Sequence, residues 1–255
     1  FKLNGADYII IDGSNTVGGS TKDLTIENTA TGSVIWLASK GTGAGCVYNS
    51  IKNTVLIGSS TTTTGVYGVY VGGATLGSAG DDNDFNTMQN NTIGKAYYGI
   101  YAVASATGLM DNLNIVQNII GNVTDASSIG NMGVYVAYGT GGAISQNTIF
   151  NIKTGTNAKG ISISNGFVSA TVSGNLIYAI RYTGSTGYGG KGIDINTLNA
   201  ASNITFANNM IYDITGDGYS GSSDNICGFR VASGGGYNFY YNSVNLFGSN
   251  NAART

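Results

Sequence analysis

Three carboxylates, Asp81, Asp82 and Asp84, lie within the seven residues GDDNDFN from Gly80 to Asn86. Clustered Asp oxygens are hard ligands of the kind that hold calcium. A pair of carboxylates roughly 5–9.5 Å apart is what glycoside hydrolysis requires. The plainer reading of the stretch is a solvated loop. Two other groups could do chemistry. Asp194 and Arg230 occupy matching places in a recurring phrase, so a stacked chain would make them neighbours. They then form either a surface ion pair worth about 0–1 kcal/mol or one end of a ligand groove. Trp36, Tyr70, Tyr101 and Tyr135 hold the same outward place in earlier copies of that phrase. Stacked on one outer face, they could present ring faces to the apolar side of a sugar. Alternatively they stabilise the sheet by about 0.2–1 kcal/mol per neighbouring pair, or a long loop covers them.

Other chemistry is missing from the chain. It has no His, so a His-based triad, acid or metal ligand is impossible. Glu27 is its only Glu. Cys46 and Cys227 are its only cysteines, too few for the usual zinc arrangements. Several repeats separate them, far beyond the reach of about 7 Å between Cα atoms in a disulfide. They read as two buried free thiols.

These candidates meet only if the chain repeats, and it does. An Asn recurs at Asn53 (IKNTVLI), Asn91 (MQNNTIGKA), Asn118 (IVQNIIGNV), Asn147 (ISQNTIFNI), Asn175 (VSGNLIYAI), Asn209 (FANNMIYDI) and Asn242 (FYYNSVNLF), with a weaker first copy at Asn28 (TIENTA). The step averages about 31 residues, inside the window for stacked repeats. Three places before the Asn stand Met88, Ile115, Ile144, Val172, Phe206 and Phe239. Two after it stand Val55, Ile93, Ile120, Ile149, Ile177, Ile211 and Val244. A second phrase alternates with the first: GVYV at Gly68 and Gly133, GIYA at Gly99, GISI at Gly160, GIDI at Gly192 and GFRV at Gly228. Its period of two marks a strand. Gly, Ser and Thr crowd the gaps between phrases, as loops of unequal length require.

Short strands and turns repeated without helical spacing predict an all-β parallel solenoid of eight to nine rungs, in one domain spanning residues 1–255. Equivalent residues would stack about 4.8 Å apart. The recurring Asn is expected to form a structural column, its amides bonding from rung to rung.

The V-S-G-N-L-I-Y-A-I … K-G-I-D-I pattern resembles the right-handed parallel β-helix repeat of pectate-lyase-like proteins. The opening NGADYIIIDGSN … TKDLTIENT (Asn4 to Thr29) is similar to stretches of large bacterial surface proteins exported by type IX secretion. The first resemblance implies polysaccharide lyases, glycoside hydrolases or adhesins; fold alone does not choose among them. Polygalacturonase-type enzymes carry Gly-His-Gly and Arg-Ile-Lys motifs, and neither occurs here. Pectate-lyase-type elimination needs a base such as Arg181, Lys191 or Arg230 near a calcium ion held by Asp. The second resemblance implies a bacterial cell-surface or secreted location.

Composition supports an outer location. Charged residues are 9% of the 255, against 42% hydrophobic, and the surface must be built from Ser, Thr, Asn and Gly. A net charge of −2 with 11 basic residues gives no footprint for nucleic acid. No apolar run approaches membrane-spanning length. The expected function is a non-catalytic extracellular structural or adhesive module, with glycan binding on the aromatic column. The alternatives are a polysaccharide lyase or hydrolase around Asp194 and Arg230, and a filament subunit. No cofactor is required, calcium at Asp81, Asp82 and Asp84 being the exception considered. Partners would be a polysaccharide or cell-surface glycan, neighbouring domains of a longer protein, or other copies stacked on the end rungs, since an uncovered rung is an open sheet edge.

Overall fold

A strand with an apolar residue at every second position has one face that must be buried. A chain that repeats such strands can bury them all by coiling them around a common axis. The computed structural model of the chain describes residues 1–184, 189–216 and 226–247, and it has this form. It is 52% strand, arranged as a parallel β-solenoid of about seven turns. Among the described residues the one helical element is a single 3-10 turn at Asp125–Ser127. No helix among the described residues is long and apolar enough to cross a membrane.

Each full turn has three walls. In one rung they are Ala143–Ser145, Thr148–Thr154 and Lys159–Ile163; in the next they are Thr171–Ser173, Leu176–Tyr182 and Lys191–Asn196. Every wall pairs with its successor in parallel. The first wall is an eight-stranded sheet; the second and third join into one of sixteen strands, and a three-stranded sheet fills the turn between third and first walls. The expected apolar files are present. In the second wall Ile93, Ile120, Ile149, Ile177 and Ile211 are direct register partners, each 0% exposed. The first wall stacks Met88, Ile115, Ile144, Val172 and Phe206. The third stacks Val69, Ile100, Val134, Ile161 and Ile193.

The chain turns between walls at single left-handed residues. Between first and second walls these are Asn53 (φ 56°), Asn90 (52°), Gln117 (58°), Gln146 (56°), Gly174 (64°), Asn208 (56°) and Tyr241 (54°). One residue in this conformation bends the backbone sharply, and short amide side chains tolerate it best after Gly. The ladder Asn follows immediately. Asn53 is therefore not a ladder member but the preceding corner residue. Thr54 holds the ladder place, giving both its backbone N–H (3.1 Å) and its hydroxyl (2.7 Å) to Asn91 Oδ1. The inward residue is accordingly Leu56, the register partner of Ile93, and not Val55. A one-residue slip exchanges the faces of a strand, and the run Val55-Leu56-Ile57 is apolar on both faces, so its pattern does not fix the phase.

Two further expectations are corrected. Asn28 lies after the strand Leu24–Glu27 and bonds to Ile57 O, at the exit of a wall; without it as a corner the turns number about seven. Cys46 is fully buried, its Sγ donating to Leu3 O at 3.0 Å, whereas Cys227 is only half-buried. Burial pushes the Cys46 thiol above its ordinary pKa.

Candidate functional site

The second-phrase residues form one outward file on the third wall. Trp36, Tyr70, Tyr101, Tyr135, Ser162, Asp194 and Arg230 are successive register partners. The rings use their faces on one another. Tyr70 and Tyr101 stack at 5.9 Å between centroids, Tyr101 and Tyr135 at 4.4 Å, and Trp36 meets Tyr70 edge-on at 5.9 Å. Tyr67 and Tyr98, stacked at 5.3 Å, make a second row beside them. Tyr70 is 0% exposed beneath the loop at 73–79, its hydroxyl donating to Ser78 O at 2.5 Å and the Trp36 indole donating to Gly73 O at 3.1 Å. Trp36, Tyr101 and Tyr135 remain half-buried. Loss of hydration, followed by the neighbouring phenols, raises the Tyr101 pKa well above its ordinary value and pushes Tyr98 up to about 12. A sugar stacks about 3.5–4 Å from a ring plane, so two rings holding one between them would stand roughly 7–8 Å apart. No pair in this file leaves that space.

Asp194 and Arg230 are neighbours, with Arg230 Nη1 to Asp194 Oδ1 at 3.1 Å. The pair is not on the surface. Asp194 is 2% exposed, and Lys159 Nζ reaches its other oxygen at 2.5 Å. The register shows how: Lys159 starts the strand of the preceding rung and reaches back across to the file. Both oxygens of this carboxylate are thus occupied by cations of the fold, which leaves neither free for a calcium ion. Lys191 is buried at the start of the Asp194 strand, and Arg181 lies at the surface beside Asp213 at 3.5 Å.

The three Asp of GDDNDFN do not converge. Asp81 accepts from the hydroxyls of Ser105 and Thr42. Asp82 accepts from the Gly43 N–H at 2.6 Å, and Asp84 accepts from the Asp111 N–H at 2.8 Å. Asp81 and Asp82 tie their loop to Thr42 and Gly43 of one neighbouring loop, Asp81 also to Ser105, and Asp84 reaches Asp111. Among the described residues no group of three or more His, Cys, Asp or Glu is placed to hold a metal ion. Burial, with Asp111 and Asp82 nearby, raises the Asp84 pKa; burial and then Asp82 raise that of Asp111.

Every Asn of the column from Asn91 to Asn209 uses its side-chain oxygen and both its amide hydrogens. Asn147 Oδ1 accepts the backbone N–H (2.9 Å) and Nδ2 (3.0 Å) of Asn118; Asn147 Nδ2 donates to Ile115 O (2.8 Å) and Asn175 Oδ1 (3.0 Å). The same set repeats at Asn118, Asn175 and Asn209, and at Asn91 with the Thr54 hydroxyl in place of an amide donor.

Two further aromatic stacks were not expected. Phe150, Tyr178 and Tyr212 stack on the outside of the second wall at 5.1 and 5.0 Å; each stands three places after a ladder Asn, a regularity the sequence does contain. Tyr8, Tyr48 and Phe85 stack at 5.1 and 4.6 Å on left-handed corner residues between loops of unequal length, where no period announces them. Two hollows among the described residues are open grooves. One, of about 550 Å³, is lined by Lys52, Asn53, Gln89, Asn90 and Gln117. The other, of about 460 Å³, is lined by Tyr97, Asp125, Lys153 and several Thr.

No protein-family model, no curated protein and no solved structure matches the chain. The likeness to pectate-lyase-like and type IX-secreted proteins is thus shown only as far as the parallel solenoid itself.

Proposed function

We propose that the chain is a non-catalytic structural module of a secreted or surface-exposed protein, an elongated spacer whose polar and aromatic files hold its own rungs in register. One observation carries the reading. The groups most able to serve a ligand are engaged within the fold: ring faces on rings at 4.4–5.9 Å, ladder amides on amides, and Asp194 between two cations. The low charge and the Thr-, Asn- and Gly-rich surface support an extracellular setting.

The test is a glycan array combined with an assay for released unsaturated or reducing ends on acidic polysaccharides. The expected result is no retention and no release. Tyr101→Ala and Tyr135→Ala should each lower stability by about 1–2 kcal/mol, through lost ring area and stacking, without altering the array. Retention that disappears in folded Tyr101→Ala or Tyr135→Ala would instead make the file a glycan site. Released ends would make the module an enzyme.

A further inference from the structure

The Asn ladder has a direction, and it ends unfinished. Every ladder Asn before the last gives its backbone N–H and one Nδ2 hydrogen to the Oδ1 of the following rung, and the other Nδ2 hydrogen to a carbonyl of the preceding one. Asn242 accepts at Oδ1 from Asn209 N (3.0 Å) and Nδ2 (2.8 Å), and donates backward to Phe206 O (2.8 Å). Its own N–H and second Nδ2 hydrogen meet no acceptor among the described residues. Apolar surface ends at the same place. Val231, Phe239 and Val244 continue the inward files of Ile195, Phe206 and Ile211, yet they are 50%, 43% and 46% exposed. The opposite end is finished differently. The ladder starts at Thr54, whose hydroxyl is already donated to Asn91, and the inward Leu3 of the first rung is 6% exposed.

We infer that the face formed by Val231, Phe239, Asn242 and Val244 receives one more rung of this same repeat. That rung runs parallel, with a side-chain carbonyl at its corner and aliphatic residues at its inward positions. The corner oxygen would accept both idle Asn242 donors, and the aliphatic residues would cover the open core. A second copy of the chain does not fit this description. The residue of its first rung in register with Thr54 is Leu24, which offers no acceptor. The inference extends the structural-module reading, and its test is independent of it: glycan retention would leave the end face unaffected, and failure here would leave the glycan result unaffected.

The test adds a rung to the full chain, by inserting a second copy of residues 158–182 between residues 247 and 248. This segment carries a third-wall strand, a first-wall strand, a ladder Asn and a second-wall strand in the required order. The readout is side-chain amide hydrogen exchange at Asn242. The insertion should slow it by at least about 100-fold. Asn175→Ala within the added copy should abolish that protection, while Asn175→Asp, which keeps an acceptor oxygen, should retain part of it. An added segment that leaves Asn242 exchanging as in the parent overturns the inference. So does concentration-dependent self-association of the parent chain that protects Asn242, because the occupant would then be a second copy.

Discussion

Asn147→Ala is expected to lower the stability of the solenoid by about 3–5 kcal/mol, read as a shift of the urea midpoint with an unchanged slope. The side chain makes four hydrogen bonds, and its loss is felt on both sides of the rung. The Asn118 backbone N–H and Nδ2 lose their acceptor, and Ile115 O loses its donor. All three sit around side chains that are about 1% exposed, so water cannot take over. An unsatisfied buried polar group costs roughly 1–3 kcal/mol, more than a made hydrogen bond contributes. Asn208→Gly supplies the contrast. Asn208 stands next to the ladder residue Asn209 in sequence, but it is an exposed left-handed corner residue at φ 56°, in the place that Gly174 takes one rung earlier. Glycine accepts that backbone without strain, so the change should cost under about 1 kcal/mol. Equal losses for the two substitutions would show that the column is not what holds the rungs.

The second large effect is expected from a single methyl group. Gly160→Ala would place a Cβ 2.5 Å from Ile177 Cγ2 and 2.6 Å from Gly192 O. Neither neighbour can retreat: one belongs to a core file and the other is backbone of the next rung. Overpacking of this kind costs about 1–3 kcal/mol, and contact with backbone puts Gly160→Ala near the upper end. Gly155→Ala, where the nearest atom is 4.0 Å away, should stay within about 0.5 kcal/mol of the parent. The same near-contact recurs at Gly133 and Gly192, against Ile149 and Ile211 Cγ2 at 2.4 and 2.5 Å. The glycine opening each GVYV-like phrase is therefore there because the facing wall's isoleucine touches the strand, not because the chain turns.

That glycine shows how far the sequence could be read. Periodicity alone placed Ile149, Ile177 and Ile211 in one buried file and Asp194 beside Arg230, because register partners in a parallel stack are equivalent residues of successive repeats. It could not show why the glycine recurs, since that depends on the distance across the coil between walls. It misplaced Asn53, because Val55, Leu56 and Ile57 are apolar on both faces and only hydrogen bonding to Asn91 reveals the phase. It offered a covering loop as one alternative for the aromatic column but could not say that Tyr70 is the ring beneath it, because the loop at 73–79 belongs to no period. It missed Lys159 as a partner of Asp194 for a similar reason: the contact runs diagonally between rungs, whereas a column alignment compares only direct neighbours.

The proposition that side chains of successive rungs bond in continuous files is tested most directly by side-chain amide exchange on the unmodified chain, followed by NMR. The Nδ2 hydrogens of Asn118, Asn147 and Asn175 should exchange orders of magnitude more slowly than those of the exposed corner residue Asn208, with rates tracking global unfolding. Exchange of all these amides at the rate of exposed asparagine would contradict the ladder, and with it the reading of the chain as a self-bonded structural rod.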